Sequence, residues 1–294
     1  MLPQIFPLFP ENIVTFADLF CGGCNVGINV DAEKVLLNDG NKVLIGLLRT
    51  FRKISKSEIF QRIDSYIRQY GLSDSALYGY GYYNADSSSG LAEFNRAPFS
   101  AMRDDFNSRT EINDDYFILL YVIIVFSFNN QIRFNKDGKY NLPVGKRDFN
   151  PQIRRKLSSF IDRIQMPGFV LKNRDFRMFR KEELSAYDLV YADPPYLITC
   201  ASYNEQGGWG EGEERRLLSL LDEVHNGGGR FALSNVLESG GKKNLILKDW
   251  LEGNKDSYTV HHLNYHYSNS SYQKISRTGT DDEVLIVNYQ VKNR

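Results

Sequence analysis

Short apolar segments rich in β-branched and aromatic residues alternate with amphipathic helical segments along this chain. Strands joined through helices run parallel, so the alternation predicts an α/β fold built on a doubly wound, mostly parallel, Rossmann-like sheet. The last two predicted strands follow each other without a helix, which predicts one antiparallel edge strand. The predicted strands are 13–20, 35–38, 169–172, 187–192, 230–234, 257–265 and 283–289, and the predicted helices are 42–51, 56–70, 213–225, 242–251 and one beginning near Asn25.

The middle of the chain is predicted to be a helical insertion in this sheet. We expect a sheet domain of residues 1–52 and 166–294 and an insertion of residues 53–165. Its apolar run Phe117–Phe126 has ten residues, whereas a membrane span needs about 20, so a buried helix or strand is expected. The N-terminus lacks the features of a signal peptide, which predicts a cytosolic protein.

Charge is unevenly distributed along a chain that has no net charge. Between Arg133 and Lys181 there are fourteen Lys and Arg residues against four Asp and Glu residues. A local cationic band of this kind favours contact with nucleic-acid phosphates. The alternative is a solvated helix face, which is the usual role of a charge run.

The segment Phe16–Cys24 leads a predicted strand into a glycine turn. Backbone amides at such a turn can approach a ligand, and Asp39, 17 residues after Gly22, is suitably spaced to bind ribose hydroxyls. Gly22, Gly23 and Gly27 do not match the dinucleotide-binding fingerprint. A ribose-bearing cofactor without a pyrophosphate, such as S-adenosylmethionine, is therefore predicted, with an ordinary strand–helix turn as the alternative.

The three cysteines do not indicate a metal or redox centre. Cys21 and Cys24 form a C-x-x-C pair, but the sequence supplies neither a thioredoxin-like context nor a second pair of ligands. We therefore expect both to be small buried residues near the pocket, and we expect no metal.

The segment that indicates the chemistry is Asp193-Pro194-Pro195-Tyr196, which follows an apolar strand. Two prolines end the strand, so these residues are held where ligands bind in such sheets. Asp193 and the Pro194 carbonyl can each accept one N–H of an amino group and so expose its lone pair. Tyr196 offers a flat face on which an extruded base can stack. The alternative is a Pro-Pro turn capped by an aspartate.

With these motifs the sequence resembles the Dam-type DNA adenine methyltransferases, especially the phage-type members. The resemblance covers most of the chain, from about Asp18 to Tyr289. It implies a methyltransferase sheet, S-adenosylmethionine as cofactor, and adenine in double-stranded DNA as substrate. It also implies donor contacts by Asp18, Phe20, Gly22, Asp39, Asp175, Phe176, Asp193 and Tyr203, with a structural or pocket-lining strand end at Ser234-Asn235.

The resemblance further implies that residues 128–146 form a DNA-reading hairpin. Asp137-Gly138 is itself a strong hairpin signal. In this comparison Arg133 reads a guanine edge of GATC, and Phe128 and Asn129 fill the gap left by the extruded base. The other implied DNA contacts are Pro143 and the cations of Lys136, Lys139, Lys146 and Arg147, which would meet phosphates. The alternative for these four cations is a solvated position at the surface.

Two departures from the family pattern leave alternatives open. The family's Gly-Lys upstream of Leu2-Pro3 is not in this sequence. Either the true start lies further upstream, or the protein is a catalytically weak or inactive DNA-binding relative, which is the second hypothesis. Gln131 replaces a common apolar residue, so the target need not be GATC. A third hypothesis is methylation of another amino group, on cytosine or on a protein. A cognate restriction endonuclease remains open as a partner.

Overall fold

The computed structural model describes residues 1–85, 88–199, 208–263 and 281–291. The chain divides into two compact units, one formed by Met1–Lys42 and Gly168–Arg294 and the other by Val43–Pro167. The second unit begins earlier than the predicted insertion because the helix that starts at Lys42 packs within it. The ring of Phe51, near the end of that helix, lies 5.2 Å from the ring of Tyr121.

The first unit contains the sheet, and most of the helices belong to the second. The strands are β1 (Thr15–Asp18), β2 (Lys34–Asn38), β3 (Phe169–Lys172), β4 (Leu189–Ala192), β5 (Phe231–Ser239), β6 (Lys242–Lys243), β7 (Thr259–Leu263) and β8 (Asp282–Val287). The α-helices are α1 (Leu2–Ile5), α2 (Lys42–Lys53), α3 (Lys56–Tyr70), α4 (Ser75–Tyr78), α5 (Ala92–Ser108), α6 (Asp114–Phe126), α7 (Pro151–Ile164), α8 (Lys181–Leu184), α9 (Glu211–Asn226) and α10 (Leu245–Gly253).

The sheet has the strand order β3-β2-β1-β4-β5-β8-β7, with β6 paired to the end of β5. Neighbours from β3 to β5 are parallel, which confirms the predicted doubly wound, mostly parallel sheet. The prediction placed the antiparallel strand at the edge of the sheet. In the structure the antiparallel strand is β8, which lies one position inside the edge. β8 is antiparallel to both β5 and β7, and β7 forms the edge. The reason is that β8 is apolar on both faces, since Val284 to Val287 are all buried.

The prediction of a helix near Asn25 is wrong. Residues 22–30 form successive turns instead, with Gly22 and Cys24 both at positive φ, +47° and +61°. A residue in this left-handed region interrupts a right-handed helix. Val26, Ile28 and Val30 are nevertheless buried. The amides of Ile28 and Val30 each bond the carbonyl four residues earlier, so the segment packs into the core as isolated turns rather than as a regular helix.

The two faces of the sheet bury different side chains. α9 and α10 cover one face and pack on an apolar cluster that includes Ala192, Leu233 and Val284. The other face carries Phe16 stacked on Tyr191, whose hydroxyl is 2.8 Å from the Ser234 hydroxyl. β1, β2 and β4 run in the same direction and therefore end at the same edge. Asp18, Asp39 and Asp193 lie at these carboxyl ends.

The second unit is built around α6. This helix buries eight of its 13 residues, and α3 and α5 pack against it. The apolar run Phe117–Phe126 is therefore a buried helix, one of the two predicted outcomes. Asp148, shortly before α7, is fully buried and accepts hydrogen bonds from Ser73 and Ser75, which anchors the segment at the start of α4.

Over residues 1–85, 88–199, 208–263 and 281–291, no helix is long and apolar enough to cross a membrane.

Candidate active site

The Asp-Pro-Pro-Tyr segment begins directly after β4, whose last residue is Ala192. The Tyr196 hydroxyl donates a hydrogen bond of 2.9 Å to Asp193 Oδ1. Pro194 is buried between them in sequence, and neither proline can donate to a neighbouring strand. The strand end thus presents a carboxylate whose orientation is fixed by an aromatic side chain three residues later.

Burial controls the protonation of Asp193. It raises the pKa of this carboxyl to about 6, while the hydrogen bond from Tyr196 opposes the rise. The group is therefore ionised at neutral pH yet takes up a proton in mildly acidic solution. A carboxylate in this state can accept a hydrogen bond from an amino group.

Two further carboxyl groups lie within electrostatic reach of Asp193. Asp18, at the end of β1, is 1% exposed, and Glu283, near the start of β8, is 5% exposed. Burial raises the pKa of both, and the charge of Asp193 raises each further. Among the described residues, Asp18 Oδ1 and Glu283 Oε2 have no hydrogen-bond partner. Unpaired buried carboxyl oxygens make this region receptive to a cation or an N–H donor.

Asp18 is held by the glycine turn that follows it. Its carboxyl accepts hydrogen bonds from the backbone amides of Phe20 and Gly27. A Cβ on Gly27 would lie 2.3 Å from Leu37 Cδ2 and 3.0 Å from Asp18 Oδ2. Only glycine allows this close approach, so Gly27 is required for the position of Asp18 although it belongs to no dinucleotide-binding motif.

Asp39 and Gly22, predicted to share the pocket, are in direct contact. Asp39 Oδ2 accepts a 3.0 Å hydrogen bond from the Gly22 amide, and Oδ1 accepts one of 2.8 Å from the Asn41 amide. Burial raises the pKa of Asp39. Each oxygen has a further lone pair, so the carboxylate can still accept hydrogen bonds from a diol.

Three aromatic rings meet at the end of β1. The Phe20 ring lies 5.3 Å from that of Phe176 and 5.5 Å from that of Trp209, and the latter two rings are 5.4 Å apart. Phe20 and Phe176 were predicted to line the donor pocket. Trp209 was missed; the only signal was a large aromatic residue between two glycines, Gly208 and Gly210.

The remaining predicted donor contacts are Asp175 and Tyr203. Asp175 accepts hydrogen bonds from the Arg177 side chain, which lowers the pKa of the carboxyl. It also accepts the Arg177 backbone amide at 2.9 Å and so caps the short helix at Phe176–Met178. Tyr203 lies outside the described residues.

Cys21 and Cys24 are both buried. The hydrogen bond with Cys24 and burial raise the pKa of the Cys21 thiol well above its usual range, so the reactive thiolate is disfavoured. In the part of the chain that the structure describes, no group of three or more His, Cys, Asp and Glu residues is arranged to hold a metal ion.

The predicted DNA-reading segment lies in the second unit and reverses at the predicted turn. Antiparallel bridges join Ser127 to Val144 and Phe134 to Tyr140. The turn has three residues between Asn135 and Lys139, and Gly138 takes φ +73°. Positive φ at that position closes a three-residue hairpin loop.

The predicted DNA contacts are largely at the surface of this unit. Arg133, an exposed side chain, donates from Nε to Asn141 Oδ1 at 2.8 Å, which orients its guanidinium. Asn129 has φ +57°, and the Phe128 amide bonds the Pro143 carbonyl at 2.9 Å. The other exposed side chains of the prediction are Asn129, Lys136, Lys139, Pro143, Lys146 and Arg147.

Most of this chain is similar in sequence to known DNA methyltransferases. Residues 1–269 match the family described as D12 class N6 adenine-specific DNA methyltransferase. Type II methyltransferase M.FokI of Planomicrobium okeanokoites is 39% identical over 98% of this chain, and modification methylase StsI of Streptococcus sanguinis is 36% identical over 99%. The chain spans 41% of the length of each of these two relatives. A DNA adenine methylase of Salmonella typhi is 26% identical over 63% of this chain and 57% of its own.

Proposed function

Because this chain belongs to the D12 class of N6 adenine-specific DNA methyltransferases, we propose that it transfers a methyl group to the exocyclic amino group of adenine in double-stranded DNA. The observation that carries the proposal is the oriented carboxylate of Asp193 at the strand edge that also holds Asp18 and Asp39. Incubation with duplex DNA and S-adenosylmethionine, followed by base analysis, tests it. N6-methyladenine is the expected product, and methylcytosine or methylated protein alone would contradict it.

Methyltransferases of this family use S-adenosylmethionine, and the residues at this edge suit that molecule. The unpaired Asp18 Oδ1 is a buried acceptor for an ammonium group, and Asp39 is a half-exposed acceptor for ribose hydroxyls. Phe20 and Phe176 offer rings for a purine, with Asp175 beside them. When bound, the cofactor supplies a methyl group on a positively charged sulfur.

The residues of the chain prepare the amine for attack. Asp193 accepts one N–H and the Pro194 carbonyl accepts the other, which draws the nitrogen lone pair out of conjugation with the ring. The lone pair would then be free to form a C–N bond with the methyl carbon as the C–S bond of the donor breaks and the neutral thioether leaves. Asp193 would accept the proton that the nitrogen then loses. The ring of Tyr196 stacks on the base, which must leave the helix to reach the site.

The rate of transfer should fall in mild acid. A protonated Asp193 cannot accept the amine, so we expect kcat/KM to decrease about tenfold per pH unit below the pKa of about 6. Tyr196→Phe removes a hydrogen bond that favours the ionised form, so its acidic limb should move to higher pH. A flat profile in wild type, or a shift to lower pH in the variant, would contradict the role of Asp193.

We propose that the hairpin of the second unit binds the DNA. Arg133 would read a guanine, Phe128 and Asn129 would fill the gap left by the base, Pro143 would support the turn at Phe128, and Lys139 and Lys146 would contact phosphates. GATC is the target sequence that we propose to test first. M.FokI and StsI are more similar to this chain than the DNA adenine methylase of Salmonella typhi is. Sequencing of the methylated positions should therefore accompany that test.

Arg133→Ala should relax discrimination at one base pair. The loss of a bidentate contact costs about 1–3 kcal/mol for the cognate base and little for the others. Lys139→Ala is the matched control, because a phosphate contact should weaken binding uniformly and reduce the salt slope by about 1. Methylation rates on duplexes substituted at each position provide the measurement. An unchanged ranking of the duplexes with Arg133→Ala would argue against base reading by this residue.

We further propose that this chain has a functional partner, a cognate restriction endonuclease that recognises the same DNA sequence. The support is the naming of two relatives, M.FokI as a type II methyltransferase and StsI as a modification methylase. The alternative of an inactive DNA-binding relative is disfavoured by the arrangement of Asp18, Asp39, Asp193 and Tyr196, because binding DNA requires none of these groups.

A further inference from the structure

Glu214 is a buried carboxylate that the reaction does not use. It lies in the first turn of α9 and is 0% exposed. Its Oε2 accepts a 2.7 Å hydrogen bond from Trp209 Nε1, and its Oε1 accepts hydrogen bonds from the side-chain amides of Asn235 and Asn244 at 3.0 and 2.9 Å. All three donors are neutral. A buried carboxylate is costly unless its hydrogen bonds are made, and here they are made without a cation.

These three bonds join parts of the first unit that surround the donor pocket. Asn235 lies in β5, Asn244 caps α10 by accepting the Leu247 amide at 3.1 Å, and Trp209 precedes α9. Of these three, Trp209 packs on Phe20 and Phe176. The indole N–H points in one direction only. Its bond to Glu214 therefore fixes the orientation of the Trp209 ring, which packs on Phe20 and Phe176.

We propose that Glu214 is a positioning residue for binding of the methyl donor, acting through Trp209 on the rings of Phe20 and Phe176. The inference rests on the proposed donor pocket. A carboxylate is required because it offers two acceptors. Glutamine at this position would turn an N–H₂ group toward at least one of the three donors and leave that donor unpaired.

The same helix contains a matched control. Asp222 accepts hydrogen bonds from Trp250 Nε1 at 2.9 Å and from the Tyr258 hydroxyl at 2.7 Å. The Trp250 ring packs on Phe231 and Tyr258. Asp222→Asn therefore breaks the same kind of carboxylate–indole contact, but one that involves neither Phe20 nor Phe176.

The two tryptophans of the chain allow a direct test by fluorescence. Trp250→Phe leaves Trp209 as the only indole, and Trp209→Phe leaves Trp250. Titration with S-adenosylhomocysteine should change the emission of the Trp250→Phe protein saturably and leave that of the Trp209→Phe protein flat. A silent Trp209 in protein that binds the ligand by calorimetry would overturn the inference and leave the proposed function standing.

Affinity provides the second test. Glu214→Gln should weaken S-adenosylhomocysteine binding about tenfold, which corresponds to ~1.4 kcal/mol, whereas Asp222→Asn should change it by less than about threefold. Thermal unfolding of both variants separates this effect from general destabilisation. Equal weakening by the two variants, or unchanged binding by Glu214→Gln, would refute the positioning role. Absence of ligand binding by the wild-type chain would instead count against the proposed function.

Discussion

Asp193→Asn is expected to lower the rate of methyl transfer to adenine by at least about a thousandfold. The amide has the size of the carboxylate but no charge, and it can turn an N–H₂ group toward the amine that Asp193 would hold. Burial raises the pKa of this carboxyl, so its charge is not a source of stability and the variant should remain folded. Single-turnover transfer to duplex DNA and thermal unfolding measure the two effects.

Tyr196→Phe is the companion variant for this experiment. It removes the hydroxyl that donates to Asp193 at 2.9 Å but keeps both the carboxylate and the ring. Its loss of rate should be much smaller than that of Asp193→Asn. If Asp193→Asn retained a rate within about tenfold of wild type, the amine would not be held by this carboxylate.

Asp18→Asn is expected to stabilise the fold and weaken donor binding. Burial and the charge of Asp193 raise the pKa of Asp18 above its ordinary value. A carboxyl whose folded pKa is raised loses stability as pH rises from the unfolded value through the folded one, and asparagine avoids this loss. At neutral pH the variant should unfold at least about 2 °C higher than wild type, and the difference should vanish near pH 3–4.

The affinity of Asp18→Asn for S-adenosylhomocysteine should fall about tenfold or more, because a charged acceptor for the ammonium group is lost. Asp148→Asn is the matched control. Asp148 is also buried with a raised pKa, but both of its oxygens accept hydrogen bonds from Ser73 and Ser75. The substitution leaves one of these donors unpaired, which offsets the gain from removing the charge, so the unfolding temperature should not rise and ligand affinity should be unchanged. A lower unfolding temperature for Asp18→Asn would contradict the cost assigned to its unpaired oxygen.

The sequence predicted the central strands well because parallel strands covered on both faces are continuous apolar runs. β2, predicted at 35–38, spans Lys34–Asn38, and β4, predicted within 187–192, spans Leu189–Ala192. The position of β8 was not predictable in the same way, since local sequence says which residues are extended but not which strand they pair with. The helix expected near Asn25 failed because Cys24 adopts a left-handed conformation that its residue type does not indicate.

The candidate site was predictable to the extent that it depends on motifs. Asp39 and Asp193 were found because each follows an apolar strand, and parallel strands bring their carboxyl ends together. Asp18, the last residue of β1, was indicated by the family resemblance. Trp209 and Glu214 were not found, because their importance comes from a 2.7 Å contact behind the pocket rather than from a pattern. The unpaired oxygen of Asp18 is likewise a property of packing alone.

The order in which this chain is synthesised has a consequence for how it can fold. Asp39, which follows β2, is 134 residues from its partner Asn173, which follows β3. β1 and β2 therefore leave the ribosome long before β3 and β4 exist, and a two-stranded pair is not stable alone. The continuous segment Val43–Pro167 is free to fold during that interval. The second unit can thus fold before the strands that complete the sheet of the first unit have been synthesised.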